Sequence, residues 1–165
     1  MRKLLRLLFV LCLIASLLGC SGKTADTDTE MLEIITKELD LDVSVQIIDK
    51  IDLDEVVLFF YMTGNEYQAH TYGYAEFEKQ KYNYKFLRTY SMIERGIDLR
   101  SALYNDAYLF VINNGNCKGL RINFENGKEE LIPVDKIPFV HYMEDALISN
   151  FEYHFLDNNG KGIQP

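Results

Sequence analysis

The sequence contains no tryptophan and only three prolines and three cysteines in 165 residues. Three cysteines exclude a disulfide-stabilised scaffold. Hydrophobic residues make up 48% of the chain, a normal share for a globular protein and too high for a disordered one. Asp and Glu number 25 against 17 Lys and Arg. This acidic balance argues against a nucleic-acid partner, because phosphate binding needs clustered basic residues.

Aromatic residues are abundant in spite of the missing tryptophan. The chain has 11 tyrosines and 10 phenylalanines. Aromatic side chains favour strands, and the scarcity of proline argues against a linker-like chain. The composition therefore predicts a small folded domain rich in sheet and indicates no particular chemistry.

The N-terminal segment has the pattern of an export signal. Three basic residues, Arg2, Lys3 and Arg6, precede Leu7–Leu18, an apolar run that only Ser16 interrupts. A run of twelve residues is too short for a bilayer, which needs about 20. We therefore expect residues 1–19 to be a signal peptide.

The end of this run, Leu17-Leu18-Gly19-Cys20, resembles the lipobox of bacterial lipoproteins. The resemblance implies cleavage between Gly19 and Cys20 and a diacylglycerol attached to the Cys20 thiol. Two acyl chains are sufficient for a stable membrane anchor. The resemblance implies the lipid bilayer as a partner, and we expect no further cofactor.

The lipobox resemblance implies a cellular location, and removal of residues 1–19 changes the net charge of the protein. The favoured site is the outer face of a Gram-positive plasma membrane, although Ser21 fits the outer membrane or periplasm of a Gram-negative host equally well. Residues 1–19 carry three basic and no acidic residues, so the remaining chain has a net charge of −11. Residues 26–55 hold 11 of the acids. Such charge either keeps the domain off anionic lipid or simply keeps it soluble.

A polar tether and a helix are expected to follow the lipidated cysteine. Residues 20–29 are small and polar and have no hydrophobic period. Glu30 stands three residues after Thr27, which matches a capping box. Apolar residues then recur at helical spacing, so we expect an amphipathic helix over about residues 29–40.

The rest of the chain shows strand patterns. Val56–Met62 is continuously apolar, as in a strand covered on both faces, and Asn126-Gly127 is a preferred hairpin dipeptide. No element is predicted for residues 91–106. The expected fold is α+β: a short N-terminal helix packed on an antiparallel meander (30–100), followed by a small sandwich-like β half (101–165). The two parts either fold separately or form one domain.

This layout is similar to that of small uncharacterised envelope lipoproteins of Gram-positive bacteria. The order of export signal, short helix, meander over residues 55–88 and later strands carries the resemblance. Those proteins are expected to have a tryptophan near Lys85-Phe86-Leu87, and this chain has none. The similarity implies no specific activity.

No catalytic or metal motif is present in the sequence. His70, His141 and His154 are far apart and lack zinc-ligand spacing, so no metal site is expected. Cys117 follows a turn and lacks a helix N-terminus that would lower its pKa. We therefore interpret Cys117 as a small buried hydrophobe; the other readings are a Cys–His nucleophilic pair and an intermolecular bridge.

One group of residues is a candidate binding face. It consists of four tyrosines and two nearby lysines: Tyr72, Tyr74, Tyr82, Tyr84, Lys81 and Lys85. Tyrosine has an apolar ring and a polar hydroxyl, which suits contact with a sugar or a protein. The alternative is that the tyrosines pack in the core under the helix.

The sequence thus favours a membrane-anchored extracytoplasmic lipoprotein that is not an enzyme. Its expected role is to bind an envelope protein or a wall polymer. A carrier of a small apolar ligand is the first alternative, and a small secreted hydrolase is the second.

Overall fold

The structure is a computed structural model that describes residues 22–40, 44–64, 71–92, 99–144 and 150–163. The predicted signal peptide, Gly19, Cys20 and His70 lie outside the described residues. Strands account for 59% of the described residues and helix for 10%. The prediction of an α+β fold is therefore wrong, because the protein is mostly β, with one short helix and three antiparallel sheets.

The first sheet has five strands in the order β1-β5-β4-β3-β2. Its strands are β1 (Thr24–Ala25), β2 (Val45–Asp52), β3 (Val56–Thr63), β4 (Thr71–Lys79) and β5 (Tyr84–Met92), and helix α1 (Asp28–Leu39) follows β1. Strands β2 to β5 form a meander, as expected from the sequence, and β1 pairs with the start of β5.

Two smaller sheets make up the second half of the chain. One contains β6 (Leu99–Tyr104), β7 (Ala107–Ile112) and β10 (Phe139–Met143), in the order β10-β7-β6. The other contains β8 (Gly119–Phe124), β9 (Glu129–Pro133), β11 (Phe151–Leu156) and β12 (Gly162–Ile163), in the order β12-β11-β8-β9. β6 lies in the segment for which the sequence predicts no element, because LRSALY has no regular alternation.

Three apolar clusters arrange these elements in layers. In β7, Leu109 and Val111 pack toward the first sheet, whereas Phe110 and Ile112 pack toward the third. On the other face of the first sheet, Met31 and Ile35 of α1 belong to a cluster with β3 and β4 side chains. The first and second sheets are thus buried on both faces, which explains the continuous apolar runs in β3 and β7.

The start of α1 confirms the local prediction. Thr27 is the N-cap residue, and its Oγ1 accepts a hydrogen bond from Glu30 N at 3.3 Å. Glu30 Oε2 in turn accepts from Asp26 N at 2.6 Å, one residue before the N-cap. The acidic first turn also suits the positive end of the helix dipole.

The expected tether over residues 20–29 is too long. Thr24 lies opposite Lys85 and Ala25 opposite Tyr84 in the first sheet. Ala25 is only 1% exposed. A short polar stretch thus joins the sheet, because β5 offers unpaired backbone groups at its edge.

Candidate functional site

The predicted tyrosine face does not exist as one surface. Tyr72 and Tyr74 are buried between the first and second sheets, and Tyr84 packs on the opposite face, beneath α1. Tyr82 lies in the β4–β5 turn and is 82% exposed. The core alternative is therefore correct for Tyr72 and Tyr74, although they pack against the second sheet and not under the helix.

A β-bulge separates these tyrosines. Glu76 of β4 lies opposite Arg88 of β5, but the next residue, Phe77, lies opposite Phe86. Leu87 is therefore the extra residue, and it reverses the side-chain alternation of β5. As a result, Tyr84 and Phe86 face α1. The two lysines lie near this end of β5: Lys85 pairs with Glu78 at 3.8 Å, and Lys81 Nζ lies 5.0 Å from the Tyr82 ring centroid.

A buried carboxylate lies on the opposite face of the same bulge. Glu76 is 5% exposed, and both of its oxygens accept hydrogen bonds. Arg88 Nε donates to Oε2, and the Tyr104 hydroxyl donates to Oε1, each at 2.8 Å. The Tyr104 ring also meets the Tyr74 ring edge-on, with centroids 5.6 Å apart. This network links the first sheet to the second.

The hydroxyl of Tyr104 is held in its protonated form. Burial and the hydrogen bond to Glu76 both raise the pKa of Tyr104 above its ordinary value. Burial also raises the pKa of Tyr74 to about 12. Both phenols are therefore neutral at physiological pH, where the Tyr104 hydroxyl donates to Glu76.

A groove opens beside this network, and we call it the inter-sheet groove. Its first part is a cleft of about 520 Å³ between the β2–β3 turn, Glu76, the β6–β7 turn and the end of β10. The lining residues are Asp52, Leu53, Asp54, Glu55, Val56, Glu76, Tyr104, Asn105, Tyr142 and Glu144. Half of these residues are acidic and none is basic.

The groove continues toward the third sheet. A second cleft of about 430 Å³ shares Tyr142 and Glu144 with the first and adds Phe124, Lys128, Glu130, His141 and Met143. Lys128 pairs with Glu130 at 2.7 Å and lies 5.4 Å from the Phe124 ring centroid. The inter-sheet groove thus runs past all three sheets and has aromatic rings along its length.

The charges of the groove are unbalanced. Lys79 pairs with Asp52, and Arg88 pairs with Glu76. Asp54, Glu55 and Glu144 have no cationic partner within the described parts of the chain, and all three are exposed. The groove therefore presents unneutralised carboxylates beside tyrosine rings, an arrangement suited to amines and guanidinium groups.

Of the remaining candidates that the structure describes, only His141 lines the groove. Cys117 is fully buried in the core between the second and third sheets, which confirms its interpretation as a buried hydrophobe. Burial raises the pKa of this thiol. His141 of β10 lines the groove, and burial lowers its pKa. His154 lies on β11 opposite Arg121 of β8.

In the described ranges, no three His, Cys, Asp or Glu side chains are grouped so that they could hold a metal ion. Over the same residues, no helix has the length and apolar character needed to cross a bilayer. Searches for similar proteins found no matching family model, curated protein or solved structure.

Sequence reasoning missed the groove. Its first cleft is lined by residues of the β2–β3 and β6–β7 turns and the strand ends beside them, by Glu76 of β4 and by the end of β10. These positions are up to about ninety residues apart, and no local pattern connects them. The strongest local signal is Asp52–Glu55, where three acids surround Leu53 between two strands. That signal is also typical of a solvated turn.

Proposed function

We propose that this chain is a lipoprotein anchored at Cys20 on the outer face of the plasma membrane, and that it binds an envelope protein without catalysis. The lipobox Leu17-Leu18-Gly19-Cys20 supports the anchor. The inter-sheet groove supports the binding role, since its unpaired carboxylates and tyrosine rings complement the basic side chains of a partner.

The two alternative functions are less favoured. A carrier of an apolar ligand needs a cavity between helix and sheet, but Met31 and Ile35 fill that interface together with β3 and β4 side chains. The two clefts lie elsewhere and have charged linings. A hydrolase using Cys117 is disfavoured because this thiol is buried and its pKa is raised.

The membrane anchor predicts a clear effect of Cys20→Ala. Without the thiol no diacylglycerol can be attached, so the protein should lose the lipid mass and its tight membrane association. Mass spectrometry and membrane fractionation measure both properties. Cys117→Ala is the control, because it removes the other cysteine outside the predicted signal peptide and should leave the protein in the membrane fraction. Unchanged mass and fractionation of Cys20→Ala would contradict the anchor.

The binding role predicts that the partner touches the groove through basic side chains. A zero-length carbodiimide reagent joins a carboxylate to a lysine amine only where the two are in contact. In intact cells we expect crosslinks that map to Asp54, Glu55 or Glu144 on this chain and to lysines on one partner. These crosslinks should disappear in the triple variant Asp54→Asn, Glu55→Gln, Glu144→Gln.

A matched triple variant makes this experiment specific. Glu33→Gln, Asp135→Asn and Glu152→Gln remove the same number of charges from exposed positions outside the groove. This variant should keep the crosslinks. If both triple variants lose the partner equally, or both keep it, the groove is not the binding site.

A further inference from the structure

The anchored end of the chain is tied to one edge of the first sheet. Thr24 and Ala25 pair with the start of β5, and Lys23 O accepts a hydrogen bond from Phe86 N at 2.8 Å. Three residue steps separate Cys20 from Lys23. An extended chain spans at most about 3.6 Å per residue, so a lipid on Cys20 would be attached no farther than about 11 Å along the chain from this edge.

The same edge carries exposed apolar side chains. Tyr82 is 82% exposed, more than any other large hydrophobic residue in the described part of the chain, and Leu87 is 39% exposed. Tyr82 stands two residues before Tyr84, the partner of Ala25. Leu87 directly follows Phe86, whose backbone bonds to Lys23. Along the chain, Tyr82 and Leu87 therefore lie on either side of the two β5 residues that pair with β1.

Ion pairs reduce the acidic surplus at this edge. Lys23 pairs with Glu38, and Lys85 pairs with Glu78 at 3.8 Å. Lys81 lies over the Tyr82 ring and has no carboxylate partner among the described residues. These pairs weaken the repulsion from anionic lipid beside β1 and β5, although Asp54 and Glu55 of the β2–β3 turn stay unpaired within the described residues.

From these observations we infer that the β4–β5 turn and the adjoining edge of β5 form a second contact with the bilayer. The inference rests on the proposed anchor at Cys20. Tyr82 and Leu87 enter the headgroup region, where tyrosine is favoured because its ring is apolar and its hydroxyl is polar. Lys81 extends its apolar stem along the interface and places its ammonium near lipid phosphates.

This contact orients the domain. A lipid anchor alone leaves the domain free to rotate, whereas an anchor and a neighbouring protein contact define which end faces the membrane. The β2–β3 turn of the inter-sheet groove lies at this same end, since Lys79 N donates to Glu55 O. The groove is then held close to the membrane.

The contact can be tested with the full-length lipidated protein in vesicles of phosphatidylcholine and phosphatidylglycerol. Gln80→Cys places an exposed thiol near Tyr82 for a fluorescent label. The proposed acylation blocks the thiol of Cys20, and Cys117 is fully buried. Spin-labelled headgroups should quench this label. A label at Leu131→Cys, an exposed position on β9 in the third sheet, should be quenched much less. Equal quenching at the two positions would overturn the contact.

A second substitution separates the contact from the anchor. Adding Tyr82→Ala to Gln80→Cys should reduce quenching to the level of the Leu131 label, whereas adding Leu103→Ala, at another exposed leucine, should not. Mass spectrometry establishes whether Cys20 carries lipid. If Cys20 carries lipid and Tyr82→Ala leaves the quenching of the Gln80→Cys label unchanged, this inference is overturned and the proposed anchor is not. Vesicle-bound protein without lipid on Cys20 overturns the proposed anchor and the inference with it.

Discussion

Replacing Gly73 with alanine is expected to destabilise the protein by about 3 kcal/mol, at the upper end of the usual cost of overpacking a core. A Cβ at this position would lie 2.3 Å from Tyr90 O and 2.4 Å from the Tyr61 ring. Tyr61 crosses over Gly73 to reach β5, where its hydroxyl donates to Tyr90 O at 3.1 Å. Its ring is fully buried, and in a close-packed core a shift of the ring displaces neighbouring side chains.

The measurement is urea unfolding monitored by far-ultraviolet circular dichroism, because the protein has no tryptophan whose fluorescence would report unfolding. Gly119→Ala is the matched control. It also lies in a buried strand, but its Cβ would lie 3.5 Å from the nearest atom, an ordinary contact. Equal urea midpoints for the two variants would show that Tyr61 does not pass close over Gly73.

Tyr104→Phe is expected to cost about 1.5–3 kcal/mol, the usual range for a hydrogen bond to a charged group. The substitution keeps the ring that packs against Tyr74 and removes only the hydroxyl. Glu76 Oε1 then loses its 2.8 Å donor while the carboxylate stays buried, with Arg88 as its remaining partner. An acceptor left unsatisfied in the core is destabilising because it has lost its water as well.

Tyr108→Phe is the control for this experiment. Tyr108 lies on the neighbouring strand β7, and its ring packs against other aromatic side chains, but its hydroxyl makes no hydrogen bond in the described structure. Its loss should change the free energy of unfolding by less than about 0.5 kcal/mol. Equal effects of the two substitutions would show that the bond to Glu76 does not link the two sheets.

Local sequence patterns predicted many elements correctly. Thr27 and Glu30 predicted where α1 begins, and the apolar run Val56–Met62 predicted a strand that is buried on both faces. Asn126-Gly127 predicted the β8–β9 hairpin, in which Gly127 has a positive φ of 83°. These features depend on residues that are close together in the sequence, so a local sequence pattern is sufficient to predict them.

The wrong predictions concern relations between elements and short or irregular strands. Alternation places Tyr82, Tyr84 and Phe86 on one face of β5, but it cannot show that an extra residue at Leu87 reverses the faces beyond this point. The α+β class gave too much weight to one helix. The sequence analysis also did not predict β6. Strands β1 and β12 are only two residues long, so periodicity could not reveal these two strands.

By itself, the sequence determined most strand segments and the burial of Cys117, whereas the export signal and the lipobox at Cys20 stay predictions. Only the tertiary structure decided how the strands divide into three sheets, which tyrosines are exposed, and where the carboxylates of Asp54, Glu55 and Glu144 meet. The physical reason is the separation along the chain between the residues that interact. Capping, turns and alternation act between near neighbours, whereas layer order and groove formation depend on packing between residues far apart in the chain.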